Sequence, residues 1–138
     1  MLFRSLNDSE AILLTGDKNV VRSGKKILDM GPRFVVIKRG EHGAMFVSAD
    51  HIFVLPAYPT ADVIDPTGAG DSFAGGMMGH LAANDLDADP DSMKTALAYG
   101  TVTASFNVEG FSLERFLQIE REDLEARMAE YRNMLTLP

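Results

Sequence analysis

The sequence predicts an α/β fold: helices layered on a mostly parallel sheet that also carries one β-hairpin, in an αβα arrangement. Three stretches predict it. First, residues 18–30 form a helix-like segment that passes through Gly31-Pro32 into the apolar, β-branched run Phe34-Val35-Val36-Ile37-Lys38. Such a run suits a strand covered on both faces, and helix-then-strand order suggests a parallel sheet. Second, residues 44–48 and 51–55 are short strand-like runs separated by Ala49-Asp50, the spacing of a two-residue hairpin loop. Third, a short apolar strand at 62–64 runs into Gly68-Ala69-Gly70 and a small-residue helix, a strand–turn–helix joint.

Length and composition bound the answer. The 138 residues are at most one domain's worth of chain, and 46% hydrophobic with 24% charged residues is ordinary globular composition. Lys and Arg number 13 against 20 Asp and Glu, and the net charge of −7 argues against nucleic acid as a partner. No run approaches the roughly 20 apolar residues of a membrane span, and Met1-Leu2-Phe3-Arg4 opens no signal peptide. The absence of cysteine excludes disulfides and thiolate metal sites and fits a cytoplasmic enzyme. No internal repeat and no Walker A sequence is present, and Phe73 stands where a Gly-x-Gly-x-x-Gly fingerprint needs its third glycine.

In chain order, residues 7–16 read as a short helix closed by Gly16, with Asn7 and Glu10 spaced as a capping box. Asp17 is placed to cap the helix of residues 18–30, which Gly31-Pro32 ends. After the strand at 34–38, Lys38-Arg39-Gly40-Glu41-His42-Gly43 is a polar turn in which His42 reads as a solvated residue. Pro56 and Pro59 steer the chain out of the hairpin, and His51 reads as surface. The helix of residues 71–83 carries Phe73, Met77 and Leu81 as a core stripe, with Gly75, Gly76 and Gly79 allowing close approach. Residues 84–91 read as an acidic loop ended by Pro90, and residues 92–107 as a helix of small residues. A short helix at 111–119 then leads to an amphipathic helix at 120–135, with Leu124, Met128, Tyr131 and Leu135 on one face.

The glycine turn is the stretch with chemistry in it. Glycines let the backbone take strained dihedrals and let a ligand approach closely. The first turn of the next helix leaves N–H groups without intrahelical partners, and its dipole favours negative charge. Together these make an anion site for a phosphate or a developing oxyanion. Asp71 lies at its mouth, either as a general base for a hydroxyl or simply as the N-cap.

The longer run Asp65-Pro66-Thr67-Gly68-Ala69-Gly70-Asp71-Ser72-Phe73-Ala74-Gly75-Gly76 resembles the C-terminal signature of the PfkB/ribokinase family of carbohydrate and nucleoside kinases. It departs from the family's Asp-Thr-Thr-Gly-Ala-Gly-Asp at Pro66, a variable position. The resemblance implies a ribokinase-like, Rossmann-type fold and ATP-dependent phosphoryl transfer to a hydroxyl of a sugar, or of a nucleoside. It makes Asp71 the catalytic base and the N–H groups of Gly68, Ala69 and Gly70 the anion hole. Asn7 and Glu10 match a motif that orders Mg2+ and phosphate through water. Gly40 and Gly43 match a Gly-x-x-Gly that lines the nucleotide, and Tyr99 and Gly100 fall near the adenine, although either could equally serve helix packing. Lys38 stands where most relatives carry Thr, and could reach a phosphate or point to solvent. Asp65, Thr67, Ser105, Val108 and Gly110 fall where relatives present oxygens to a monovalent cation, K+.

Complete members of that family are about twice as long. The chain therefore reads as their C-terminal, nucleotide-binding portion, without the half that carries the lid and the sugar-binding residues. On that reading it is a catalytically silent nucleotide-binding module by itself, and apolar surface left uncovered favours a homodimer. The acceptor, sugar or nucleoside, is not legible in these residues.

Overall fold

A computed structural model describes residues 3–85 and 87–138. Met1 and Leu2, where the chain start was read for a signal, and Leu86 of the acidic loop lie outside the described residues. The chain divides into two compact units, one of Met1–Ala57 with Ala88–Lys94 and one of Tyr58–Asp87 with Thr95–Pro138.

The first unit holds a four-stranded sheet in chain order: β1 (Phe3–Asn7), β2 (Phe34–Lys38), β3 (Ala44–Val47) and β4 (Ile52–Leu55). β1 and β2 are parallel, pairing Phe3 with Phe34 through to Asn7 with Lys38. The hairpin contributes two antiparallel pairings, β2 with β3 and β3 with β4, so the sheet is mixed. Ser48 N–H donates to the His51 carbonyl at 2.8 Å, closing the loop over Ala49-Asp50 as expected. β1 is a strand that the sequence reading missed. Its residues Arg4-Ser5-Leu6-Asn7 are largely polar and Leu6 is its one buried side chain, so it shows neither apolar continuity nor strong alternation.

α1 (Asp8–Thr15) is a helix for the local reasons anticipated. Asn7 Oδ1 accepts from the Glu10 N–H and Glu10 Oε2 accepts from the Asn7 N–H, both at 2.8 Å, while left-handed Gly16 closes the other end. α2 (Val20–Leu28) is capped by Asn19, not by Asp17. The Asp17 carboxylate instead accepts from the Asn19 N–H and pairs with Arg22 and Lys26, which hold it well below the ordinary aspartate range. Leu6, Ala11, Ile27, Val35, Ile37, Met45 and Val47 form the core of this unit. α2 sits close to the sheet because Gly24 lacks a side chain: a Cβ there would lie 2.8 Å from Val47 Cγ2.

The second unit is helical. α3 (Ala69–Ala83) buries Phe73, Met77 and Leu81, the expected stripe. α4 (Pro90–Asn107), whose residues up to Lys94 belong to the first unit, begins at Pro90, which the sequence reading had placed at the end of a loop. Proline suits a helix's first turn because its missing N–H would have no partner there. The Asp89 carboxylate accepts from the N–H groups of Asp91 and Ser92. α5 (Arg121–Leu135) buries Met128 and Tyr131, whereas Leu135 is exposed. Residues 111–119 are turns with one 3-10 segment at Phe116–Gln118, not the expected helix. Ser112 takes a left-handed φ of 52°, and Phe111, Leu113 and Leu117 are exposed, so no apolar face holds a helix there. Nor do residues 62–64 form a strand: Ile64 and Asp65 both donate to the single carbonyl of Val108, which leaves no ladder to propagate. Among the described residues no helix is long and apolar enough to cross a membrane.

Of the three glycines expected to ease packing of α3, Gly76 does so. A Cβ there would meet Thr103 and lie 2.9 Å from the Tyr99 carbonyl, whereas Gly75 and Gly79 face open space. Gly76→Ala should therefore destabilise the chain by about 1–3 kcal/mol through overpacking. Gly79→Ala should stabilise it by about 0.5–1 kcal/mol through helix propensity. Urea unfolding of the two variants beside the parent chain checks both signs.

Candidate functional site: the glycine turn before α3

The approach to the turn is held by hydrogen bonds of its own and by α4. Ile64 and Asp65 N–H groups donate to Val108 O at 2.7 and 3.2 Å. The Asp65 carboxylate accepts from the Thr67 N–H at 3.0 Å, and this contact keeps its pKa below the ordinary aspartate value. The Ala69 N–H closes a turn onto the Pro66 carbonyl at 3.1 Å. Gly68 then takes φ 82° and ψ −2°, a left-handed conformation that suits glycine, and serves as the N-cap of α3.

With Gly68 at the N-cap, Asp71 is not the cap of α3. It is the third residue of the helix, with its side chain exposed. No side chain caps α3. The Ala69 N–H, expected to face an anion, is already given to Pro66, while those of Gly68, Gly70 and Asp71 have no acceptor among the described residues. The arrangement can therefore offer N–H donors and a helix N-terminal dipole to an anion beside a free carboxylate.

The remaining expected site residues fall in two groups. Asn7, Glu10, Lys38, Gly40 and Gly43 belong to the first unit. Lys38 pairs with Asn7 across the parallel strands, so the capping box and the end of β2 are neighbours. Gly40 and Gly43 both have positive φ, and a Cβ on Gly43 would lie 2.7 Å from the Pro56 carbonyl carbon, so this turn is closely backed by chain. His42 is exposed beside Glu41, in keeping with a solvated turn.

Asp65, Thr67, Tyr99, Gly100, Ser105, Val108 and Gly110 belong to the second unit. Tyr99 stacks on His80 at 4.1 Å between ring centroids, and its hydroxyl donates to Glu125 at 2.9 Å. Gly100 is buried, and a Cβ there would lie 2.7 Å from the Phe73 carbonyl. Both contacts are those of helix packing. The Ser105 hydroxyl donates to Val102 O at 2.6 Å and accepts from Arg127 at 3.0 Å. Among the described residues no three His, Cys, Asp or Glu side chains cluster as a metal site.

The sequence reading missed the residues that hold the turn. Asn107, 3% exposed, donates from Nδ2 to Thr67 O at 2.8 Å and accepts from the Ser72 hydroxyl at 3.0 Å. Glu109 accepts from Thr60, Arg115 and Arg127, and the Arg127 guanidinium lies 3.6 Å from the Phe106 ring centroid. One signal was available: polar Asn107 ends a run rich in small residues, and charged Glu109 follows close behind it.

Burial pushes the Glu109 carboxyl up, but hydrogen bonds and charge from Arg127, with Thr60 and Arg115, outweigh it and leave the pKa below the ordinary 4.5. A depressed carboxylate stabilises the fold fully above its unfolded pKa, and that contribution is lost as pH falls through the folded value. Glu109→Gln should therefore be less stable than the parent at pH 7, by about 3 kcal/mol for a broken buried pair. The gap should narrow as pH drops below 4.5. Denaturant unfolding of both proteins across that range measures it.

Comparison with known proteins bears on the fold and the family. A family model described as pfkB family carbohydrate kinase matches residues 4–118. A bifunctional ribokinase/ribose-5-phosphate isomerase A of Fructilactobacillus sanfranciscensis is 30% identical over 108 residues, 75% of this chain and 19% of that protein. Aminoimidazole riboside kinase of Salmonella enterica, solved with aminoimidazole riboside and an ATP analog, superposes with a TM-score of 0.78 at 24% identity. That match covers 92% of this chain and 42% of the kinase. An Escherichia coli protein assigned as a ribokinase II, in complex with ATP and Mg2+, superposes with a TM-score of 0.75 at 26% identity, covering 93% of this chain and 39% of that one. The fold is thus the ribokinase-like α/β fold, and the chain spans less than half the length of these relatives.

Proposed function

The chain belongs to the pfkB family of carbohydrate kinases, and from that premise we propose that it forms the nucleotide-binding portion of an ATP-dependent kinase that phosphorylates a sugar hydroxyl. The observation that carries the proposal is the left-handed Gly68, which opens a 15-residue helix that no side chain caps, with Asp71 exposed in its first turn. Phosphoryl transfer depends chiefly on positioning and on charge stabilisation. The N–H groups of Gly68 and Gly70 are free to take the transferring oxygens, with Ala69 holding the turn between them. Asp71 accepts the proton of the acceptor hydroxyl. Removing that proton as the oxygen attacks keeps the nucleophile reactive, while the helix dipole offsets charge on the phosphoryl group.

Asn7 and Glu10 suit Mg2+ through water rather than directly, since the capping box already engages one oxygen of each side chain. The ion supplies neutralisation of phosphate charge. Lys38, Gly40 and Gly43 are proposed along the nucleotide phosphates and ribose, and Tyr99 with Gly100 on the helix beside the base. The donor set proposed for K+ fits poorly. Thr67 O and Val108 O already accept hydrogen bonds, and the Ser105 hydroxyl lies 3.0 Å from the Arg127 guanidinium. No step is assigned to that ion. A nucleoside acceptor is the second reading, favoured by the 36% identity over 74 residues to a cytidine kinase of Thermococcus kodakarensis.

A chain of this span is proposed to bind nucleotide without turning over by itself. Calorimetric titration with magnesium-ATP should give saturable binding that Gly70→Val abolishes, because a branched side chain would crowd the N–H donors. A folded chain that takes up no heat with magnesium-ATP would remove the anion-site assignment from this polypeptide. In a kinase containing this segment at full length, Asp71→Asn should lower turnover by about 10²–10⁴-fold, the usual worth of a general base. ATP affinity should change little. Turnover close to the parent value would take Asp71 out of the mechanism.

A further inference from the structure

We infer that Asn107 is a positioning residue that aims the Gly68 N–H at the anion site, an inference that rests on the anion-site reading above. Its Nδ2 donates to the Thr67 carbonyl at 2.8 Å. That carbonyl and the Gly68 N–H belong to the same peptide unit. The unit is planar and trans, as no cis peptide bond is present among the described residues, so its C=O and N–H point in opposite directions. Holding the carbonyl on the Asn107 side therefore turns the Gly68 N–H away from α4, towards the mouth of the turn. A hydrogen bond accepted by a carbonyl also polarises its peptide and strengthens the N–H as a donor.

The same side chain fixes the far end of the turn. Asn107 Oδ1 accepts from the Ser72 hydroxyl at 3.0 Å, so one amide brackets the four residues Gly68–Asp71. Its orientation follows from its partners, since Nδ2 must face the carbonyl and Oδ1 the hydroxyl. Space is equally defined: a Cβ on Gly68 would lie 3.4 Å from Asn107 Oδ1. An amide of this length donates and accepts at once. Aspartate accepts without donating, and leucine fills similar volume with neither.

The test uses the full chain labelled with nitrogen-15. The Gly68 amide resonance is followed in the parent, Asn107→Leu, Asn107→Asp and Ser72→Ala, and magnesium-ATP is then titrated into each. Loss of donation to Thr67 O should move the Gly68 amide proton upfield in both Asn107 variants. Ser72→Ala, which keeps that donation, should leave the resonance near its parent position. Magnesium-ATP affinity should fall at least tenfold in the Asn107 variants and less than threefold in Ser72→Ala. A role in packing alone would scale all three with lost stability and would not separate Asp from Ala in this way. Asn107→Ala, which adds no bulk, gives the same comparison should the leucine variant not fold.

A Gly68 resonance unmoved in a folded Asn107→Asp chain overturns the assignment. A parent chain whose Gly68 amide ignores magnesium-ATP overturns the anion-site reading instead. The hold of Asn107 on the Thr67–Gly68 peptide is then read from the amide shift alone.

Discussion

Three consecutive residues, the last of α4 and the two that follow it, hold the glycine-bearing segment, each through a different group. The Asn107 side chain takes Thr67 and Ser72, the Val108 carbonyl takes Ile64 and Asp65, and the Glu109 carboxylate takes Thr60. Residues 60–72 have no sheet ladder to satisfy their backbone, so these contacts do what strand pairing does elsewhere. The carbonyl of Val108, just past the helix end, is suited to the task because no intrahelical N–H takes it and it remains free to accept. The turn before α3 is thus held by a segment distant in sequence.

That segment is itself fixed by charge. Glu109 is largely buried and would be costly there alone, but Arg115 and Arg127 both reach it. Arg127 also packs its guanidinium over the Phe106 and Tyr58 rings and donates to Ser105. The cationic plane thus satisfies polar partners at its edge and apolar ones on its faces. α5, which reads in sequence as a helix for packing alone, supplies this arginine and so has a part in holding the site.

The sheet unit reaches order by more local means. The capping box of α1, the left-handed Gly16 and the Ser48–His51 bridge of the hairpin each involve residues within four or five positions of one another. Interactions of that range depend on side-chain type and spacing, which sequence displays directly. This is why Asn7 with Glu10, the strand at 34–38 and the hairpin were all legible. β1 was not, because a short polar strand is stabilised by its neighbour β2 and not by its own pattern.

The sequence by itself determined the family, the α/β class and the place of the turn, because the backbone freedom used at Gly68 is a property of its residue type. It also determined the core stripe of α3, since helical spacing alone brings Phe73, Met77 and Leu81 to one face. Tertiary structure decided the rest. Whether 62–64 pairs as a strand, and which of three glycines meets a neighbour, depend on groups far away in the chain. The same holds for Asn107. An asparagine has both a donor and an acceptor in any sequence, but the fold alone brings Thr67 and Ser72 to them, forty and thirty-five positions back.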